Sequence, residues 1–272
     1  MNLENYFISQ FNNKHIGDDG AYIDGYVYSK DAFFENVHFK REWMSCYEIA
    51  KKAMLVNISD AIAMNADPKY ALLSVAMPKN ITKLEMKELV LGFEDVASQY
   101  GIEIIGGDTL SNTKLDITVT IISKTARPLR RTKLKEGMLL AYTGRLGDSL
   151  QNLKKLFNLG RLHKKSKFLN IELRYEFVRR SARVLKVGMD ISDGLGDDLG
   201  KIASINKIGF KFYKPIKKNI LCSGEEYEML VAFDKRDLKA MRRRSVQTRT
   251  PLTIFASAQR KKYVNRCKSH HF

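Results

Sequence analysis

The sequence predicts an α/β or α+β protein folded in two lobes. Strand-like apolar runs alternate with segments of helical periodicity in the first half. The composition changes after Thr125, where a basic, turn-rich stretch over 127–136 begins. A length of 272 residues fits one large domain or two modest ones. With 44% hydrophobic residues the chain can bury a core, which excludes wholesale disorder.

The first elements of the N-terminal half are a strand, a helix and a second strand. Residues 26–34 form an aromatic, β-prone run. Residues 46–57 have apolar side chains at helical spacing, which predicts a helix. Residues 70–77 are apolar and end at Pro78, which is typical of a strand.

A second helix begins at a capping box formed by Thr82 and Glu85. Gly101 follows the last apolar position of this helix, in the place where a glycine commonly ends one. Residues 102–105 and 115–123 then predict two strands, and the second alternates apolar residues with threonines.

The second half begins with a predicted strand over 138–143 and a new segment at Gly144. We place the domain boundary within the turn-rich stretch, which gives domains of 1–130 and 131–272.

The charge distribution weakens the case for a nucleic-acid-binding protein. The net charge of +17 is typical of proteins that bind nucleic acids or anionic surfaces. Residues 1–126, however, carry a net charge of −5, and residues 127–272 carry +22. The basic run at 242–244 lies in no recognised nucleic-acid module, so nucleic acid is not expected as the primary partner. Nucleic-acid binding stays as the alternative from a different class of function.

Cysteine usage and hydropathy indicate a soluble cytoplasmic protein. Cys46, Cys222 and Cys267 are too few and too scattered for a disulfide framework or a cysteine-based zinc site, so we expect reduced thiols. No apolar stretch approaches the ~18 residues of a membrane span, and no membrane partner is expected. The N-terminal residues lack the pattern of a secretory signal.

Acidic residues collect in short patches beside glycine or serine. The patches are Gly17–Gly20, Asp31, Asn57–Asp60, Gly106–Thr109 and Asp190–Asp198. One such patch alone is ordinary turn or cap chemistry, but five of them in a chain with surplus cations favour a metal cluster. Carboxylate oxygens select Mg²⁺, which also binds substrate phosphates, so the pattern indicates phosphoryl transfer. EF-hand, P-loop, dinucleotide-binding and protein-kinase motifs are absent, so ATP would be held in another way.

These patches and their neighbours form a series of motifs in a fixed order. The series is GDD at 17–19, Asp31 with VHF at 37–39, NISD at 57–60, AMNADP at 63–68, GGDT at 106–109, DISDGL at 190–195 and GEEYE at 224–228. In this combination the motifs resemble those of the thiamine-monophosphate kinase family, whose fold is shared with aminoimidazole ribonucleotide synthetase.

The resemblance implies an α/β plus α+β fold in two lobes. Residues 1–130 would be the N-terminal domain, a mixed sheet with helices that binds ATP and metal and forms a homodimer, and residues 131–272 the α+β domain. The implied reaction transfers the ATP γ-phosphate to thiamine monophosphate, with several Mg²⁺ ions as cofactors. Because a phosphate monoester is already largely ionised near neutral pH, direct in-line attack requires no general base and no phospho-enzyme.

The resemblance also assigns roles to individual residues. The metal-binding positions are Asp19, Ser29, Lys30, Asp31, Asp60, Asp108, Asp190 and Asp193. The ATP-binding positions are Gly107, Asp108, Arg131 and Ser192, and the substrate-binding positions are His38 and Glu225. The family usually has Thr where this chain has Lys30, so either only the Lys30 carbonyl binds metal or one ion is lost. The family's aromatic substrate contact near the C-terminus corresponds to Tyr263, to Phe272 or to neither.

Two relatives of the same superfamily are alternatives: aminoimidazole ribonucleotide synthetase and selenophosphate synthetase. The latter usually carries Cys or selenocysteine in a glycine-rich N-terminal segment, and none occurs near Gly17. His38-Phe39 and the GEEY motif at 224–227 favour the thiamine-monophosphate kinase family over these two alternatives.

Overall fold

The computed structural model describes residues 3–268, in which two five-stranded sheets pack with helices. The helices of the first half are α1 (Leu3–Ser9), α2 (Cys46–Ala63) and α3 (Lys83–Tyr100). Its strands are β1 (Ala21–Ile23), β2 (Tyr26–Phe34), β3 (Asp67–Pro78), β4 (Glu103–Asn112) and β5 (Asp116–Lys124).

The second half contains the remaining strands and helices. Its strands are β6 (Leu139–Thr143), β7 (Leu185–Asp190), β8 (Gly209–Phe212), β9 (Met229–Phe233) and β10 (Leu252–Gln259). Its helices are α4 (Asp148–Phe157), α5 (Tyr175–Ser181), α6 (Leu195–Asn206), α7 (Lys218–Leu221) and α8 (Leu238–Gln247), with a 3₁₀ turn at Lys235–Asp237. Among the described residues, no helix is both long enough and apolar enough to cross a membrane.

The first sheet is mixed, with the strand order β1-β2-β5-β3-β4. Only β3 and β4 pair in parallel, while β5 runs antiparallel to both β2 and β3. The predicted alternation in β5 is confirmed, because Ile117, Val119 and Ile121 are fully buried while the residues between them are only partly buried. The buried face of this sheet packs against α2, and the opposite face, here called the outer face, is open to solvent.

Helix α2 is buried on most of its surface. Fourteen of its 18 residues are buried, so it lacks the single apolar stripe of an ordinary surface helix. It begins at a capping box of Ser45 and Glu48 and packs against the first sheet, α3 and β7. The sequence placed its end near Asn57, but the helix continues to Ala63 because its polar residues there face a buried site.

The predicted limits of α3 are confirmed. Thr82 and Glu85 form the capping box in both directions, and Gly101 ends the helix with a left-handed φ of 64°. Gly92 is required by the close approach of α2, since a Cβ atom there would lie 2.4 Å from the Tyr47 carbonyl oxygen.

The second sheet is antiparallel, with the order β7-β9-β6-β10-β8. The predicted strand over 138–143 corresponds to β6. Strand β7 ends at Asp190, and the chain turns into α6 through Gly194, whose φ of 104° favours glycine. Asp190 therefore lies at the end of a buried strand, with three more carboxylates on the turn and first helical residues that follow.

The expectation that all three cysteines are reduced thiols is wrong for two of them. Cys222, at the end of α7, and Cys267, beyond β10, form a disulfide, while Cys46 is a buried free thiol. The 45-residue separation hid this pair, because only the folded chain brings the two Cα atoms to 5.4 Å. The bond holds the C-terminal segment beside α6, where Tyr263 donates to the Gly196 carbonyl and Phe272 lies outside the described residues.

We predict that breaking this disulfide lowers the free energy of unfolding by about 3–4 kcal/mol, because the cross-link restricts a long loop of the unfolded chain. Urea unfolding with and without dithiothreitol measures this difference. Cys222→Ser should show the lower stability in both conditions, whereas Cys46→Ala should respond to the reductant as the wild type does. A wild-type protein that is equally stable in both conditions would contradict the prediction.

Candidate active site

Carboxylates from separate parts of the chain converge between the two sheets. Asp19 precedes β1, Asp60 lies in the last turns of α2, and Asp190 ends β7. One oxygen of each lies within 4.8 Å of the others, which is a spacing suited to a shared metal ion. Asp31 on β2 lies close enough to Asp60 for each carboxyl group to shift the pKa of the other, and so it joins the same group. We call Asp19, Asp31, Asp60 and Asp190 the carboxylate cluster.

Burial and repulsion raise the pKa values of Asp31, Asp60 and Asp190. Burial, followed by the charges of Asp31 and Asp190, raises the pKa of Asp60 well above its usual value. Burial and then the charge of Asp19 do the same to the pKa of Asp190. The pKa of Asp31 is raised to about 6, first by burial and then by the charges of Asp19 and Asp193. Groups held in this way bind either protons or cations.

Two cationic side chains lie at the edges of the cluster. The Arg131 guanidinium donates to Asp19 at 2.6 Å from Nη2 to Oδ1. The Lys201 ammonium pairs with Asp193 and with Asp198, the latter at 3.1 Å. Within the described residues these two cations face six neighbouring carboxylates, namely Asp19, Asp31, Asp60, Asp190, Asp193 and Asp198. The group therefore keeps a surplus of negative charge.

Some carboxylate oxygens of this group have no donor. In the part of the chain that the structure describes, Asp19 Oδ2 and Asp198 Oδ2 are buried without a hydrogen-bond partner. A buried acceptor without a donor is costly, and a bound cation is one way to satisfy it. The donor set, the spacing and the unsatisfied oxygens all fit a hard divalent cation.

Strand β2 presents its candidate residues to two different faces of the sheet. Ser29 is buried and its hydroxyl donates to the Asn57 carbonyl, so it faces α2 together with Asp31. The Lys30 side chain lies on the outer face, where its ammonium donates to Thr118 Oγ1 at 3.0 Å. The Lys30 side chain thus lies away from the cluster, and only its backbone is near the cluster side.

Gly107 and Asp108 are not brought to the cluster within one chain. Both lie on β4, the edge strand, and the Asp108 side chain is exposed and accepts from the Thr109 amide. Asp108 pairs with Ser74 on β3, and Ser74 pairs with Thr118 on β5. Because Thr118 contacts Lys30 on the outer face, the Asp108 side chain lies on the outer face as well.

The two predicted substrate residues are held by separate sets of contacts. His38 Nδ1 accepts from the Phe34 amide at 3.0 Å, and its ring stacks on Phe33 with centroids 5.6 Å apart. Glu225 has a left-handed φ of 53°, and its amide donates to the Ser192 carbonyl. This links Glu225 to the predicted ATP residue Ser192.

The other two acids of the 224–228 motif have structural contacts. Glu226 accepts from the backbone amides of Gly147 and Ser149 at the N-terminus of α4. Glu228 forms a two-point pair with Arg174, at 2.8 Å for each contact. Of the three, Glu225 is the one whose carboxylate is partly exposed and therefore accessible to a ligand.

Three contributors to the site were not predicted from the sequence. Ser59 donates to Asp190 at 2.7 Å, and Asp198 and Lys201 pair beside the cluster. Asp198 belongs to the acidic patch at 190–198. Its burial was not predictable, because the sequence did not show which face of the following helix packs against the core. Burial is the first cause that raises the pKa of Asp198 to about 7.

Comparison with known proteins identifies the family of the chain. Residues 17–125 match the family model described as AIR synthase related protein, N-terminal domain. The thiamine-monophosphate kinase of Leptospira interrogans serogroup Icterohaemorrhagiae serovar Lai (strain 56601) is 32% identical and is aligned over 79% of this chain and 78% of that protein. The chain belongs to the thiamine-monophosphate kinase family. The family's enzyme from Bacillus subtilis (strain 168) is 28% identical, over 88% of this chain and 83% of that one.

Solved structures confirm the predicted two-lobed fold. The structure of AaThiL complexed with AMPPCP and TMP has a TM-score of 0.87 and 23% identity, and covers 99% of this chain and 96% of that chain. The thiamine monophosphate kinase from Stenotrophomonas maltophilia K279a has a TM-score of 0.80 and 24% identity, and covers 98% and 95%. Both share the α/β plus α+β architecture described above.

We predict that Asp60→Asn stabilises the metal-free protein at pH 8 by about 1–3 kcal/mol. A carboxyl group whose pKa is raised by folding binds more protons in the folded state, so stability falls as the pH rises from near 4 through the raised pKa. The substitution removes one repelling charge. Urea unfolding in EDTA at pH 5 and pH 8 measures the effect.

The control is Asp24→Asn, which removes an exposed carboxylate from the turn between β1 and β2. It should leave the pH dependence unchanged. Added Mg²⁺ should stabilise the wild type and Asp24→Asn at pH 8 but not Asp60→Asn. If the wild type were equally stable at pH 5 and pH 8, and Asp60→Asn were no more stable than the wild type at pH 8, repulsion within the cluster would be contradicted.

Proposed function

We propose that this protein transfers the γ-phosphate of ATP to thiamine monophosphate, giving thiamine diphosphate and ADP. The observation that carries the proposal is the buried carboxylate cluster, built from both halves of a chain of the thiamine-monophosphate kinase family. The structure of the same fold with AMPPCP and TMP supports the pairing of a nucleotide with TMP. We keep the cytoplasmic location as a proposal on the ground of the ATP requirement alone, because the Cys222–Cys267 disulfide removes the argument from reduced cysteines.

We propose Mg²⁺ as the metal, because the donors of the cluster are carboxylate oxygens. Asp19, Asp60 and Asp190 would hold it, with Asp31 beside Asp60 and Asp193 across from Lys201. When bound, such ions neutralise phosphate charges and so let two polyanions approach each other. Ser29 and the Lys30 carbonyl remain further proposed ligands on the same strand.

Arg131 and Ser192 would bind the phosphates of ATP. The Arg131 amide donates to Asp18 and its guanidinium to Asp19, which orients the side chain before ATP binds. A planar guanidinium suits phosphate oxygens. The attacking oxygen belongs to a phosphate that is already ionised near neutral pH, so the residues have to align the two substrates and need not remove a proton.

His38 and Glu225 would bind the thiamine part of the substrate. Thiamine carries a positively charged thiazolium ring, and the partly exposed Glu225 carboxylate offers it an opposite charge. The His38 ring is fixed by its stack on Phe33. These contacts would select thiamine monophosphate over other phosphate esters.

We predict that the purified protein with ATP, Mg²⁺ and thiamine monophosphate forms thiamine diphosphate, measured by chromatography. Asp190→Asn should lower kcat at least a hundredfold, because it weakens metal binding without removing core volume. Asp24→Asn is the matched control and should keep wild-type activity. A wild-type protein without turnover, but with salt-sensitive binding to mixed-sequence DNA, would favour the nucleic-acid alternative instead.

We further propose a homodimer formed through the outer face of the first sheet. Tyr28, Tyr70, Leu72 and Leu110 are exposed apolar side chains on this face, which is unusual for a sheet face in contact with water. Asp108 lies on the same face and therefore points away from the cluster of its own chain. In a dimer of this kind Asp108 would act in the partner's site.

A subunit-mixing experiment tests this proposal. Asp60→Asn and Asp108→Asn should each be inactive alone, but co-refolding equal amounts should restore about a quarter of wild-type activity, because half of the dimers then hold one intact site. The control is a mixture of Asp60→Asn and Asp190→Asn, both of one chain's cluster, which should stay inactive. Failure of the first mixture to recover would contradict a role for Asp108 in the partner's site.

A further inference from the structure

Lys52 on α2 is a buried cation at the substrate end of the site. Its side chain is 1% exposed, and lysine is rarely buried to this extent unless it is paired. Its ammonium donates to Glu225 Oε2 at 2.8 Å. The same ammonium lies 3.7 Å from the ring centroid of Phe168 and 5.7 Å from that of Phe33. One carboxylate and two aromatic faces therefore surround the charge.

These contacts connect the two predicted substrate residues. The Phe33 ring lies near both Lys52 and His38, since the Lys52 ammonium is 5.7 Å from its centroid and the His38 ring stacks on it at 5.6 Å. Lys52 also holds Glu225, which is 27% exposed and therefore accessible to a ligand. A single buried side chain thus contacts the carboxylate directly and packs on the ring that supports His38.

The backbone of Glu225 also indicates a constrained position. A residue with a side chain rarely adopts a φ of 53°, and such strain persists only where neighbouring contacts hold it. Here the Glu225 amide donates to Ser192 at 2.6 Å, and Lys52 fixes the carboxylate at the other end. The side chain is therefore held at both ends before a ligand arrives.

We propose that Lys52 is a positioning residue that fixes the Glu225 carboxylate in the orientation that binds the thiazolium cation of thiamine monophosphate. This inference rests on the proposed function. Stability alone does not explain the ion pair, because replacing a buried pair with apolar groups is often neutral or stabilising. Without Lys52 the carboxylate would rotate toward solvent, and the substrate would have to order it on binding.

Lys52→Met tests the role with little change in packing. Methionine has a similar length and packs well against aromatic rings such as Phe33 and Phe168. We expect KM for thiamine monophosphate to rise up to about tenfold, which is the cost of ordering one long side chain on binding. The values of kcat and of KM for ATP should stay within about twofold of wild type, because the carboxylate cluster is untouched.

Two further variants separate positioning from a structural role. Glu225→Gln should raise KM for thiamine monophosphate similarly, and Lys52→Met added to Glu225→Gln should raise it no further, because Lys52 acts through Glu225. The matched control is Lys51→Met. Lys51 forms an ion pair with Asp95, also at 2.8 Å, on a different side of α2, and the substitution breaks that pair. It should leave both KM values unchanged.

The outcomes distinguish this inference from the proposed function. If the wild type turns over thiamine monophosphate but Lys52→Met behaves like Lys51→Met, the role of Lys52 is wrong and the proposed function stands. Equal rises in KM for both substrates, or additive effects in the double variant, would also overturn it. A wild type without kinase activity would overturn the proposed function, and the inference with it.

Discussion

Repulsion between the gathered carboxylates is the constraint on which the rest of the site depends. Asp19, Asp60 and Asp190 place oxygens within 4.8 Å of one another, and like charges at this distance in a buried site repel strongly. The fold therefore has to hold them from outside. Asn57 contributes to this, since its side chain accepts from the Asp31 amide at 2.6 Å and donates back to the backbone of α2. These two hydrogen bonds fix the position of strand β2 relative to helix α2 at the cluster.

The basic surplus of the second half has more than one origin. Lys167 and Arg174 are mostly buried and pair with Glu228, which connects the loop before α5 to the residue before β9. Arg131 and Lys201 instead lie at the carboxylate cluster, where they offset part of its charge. Their number is too small to neutralise it. A positive field around such a site attracts phosphorylated molecules in general, and the specific chemistry that we propose belongs to the minority of carboxylates.

The sequence predicted elements whose signals are local, and it failed where burial depends on the whole fold. The capping box at Thr82 and the glycine at 101 are local signals, and α3 has these limits. The end of α2 was placed too early, because polar residues at 57–60 look like a helix end unless a buried site lies beside them. The disulfide could not be predicted, since the positions of Cys222 and Cys267 relative to each other depend on the packing of the C-terminal segment. The boundary between residues 130 and 131 stays a prediction.

Helix α2 also explains how two chemically different subsites keep a fixed separation. Lys52, which holds Glu225, and Asp60, in the carboxylate cluster, are eight residues apart on the same helix. Two turns and a fraction of an α-helix correspond to about 12 Å, and a helix buried on most sides cannot bend easily. A substrate with a cation at one end and a phosphate at the other needs a site whose opposite charges are held apart in this way. In the proposed function, the burial of α2 would serve specificity as well as stability, because it sets the distance over which the substrate has to extend.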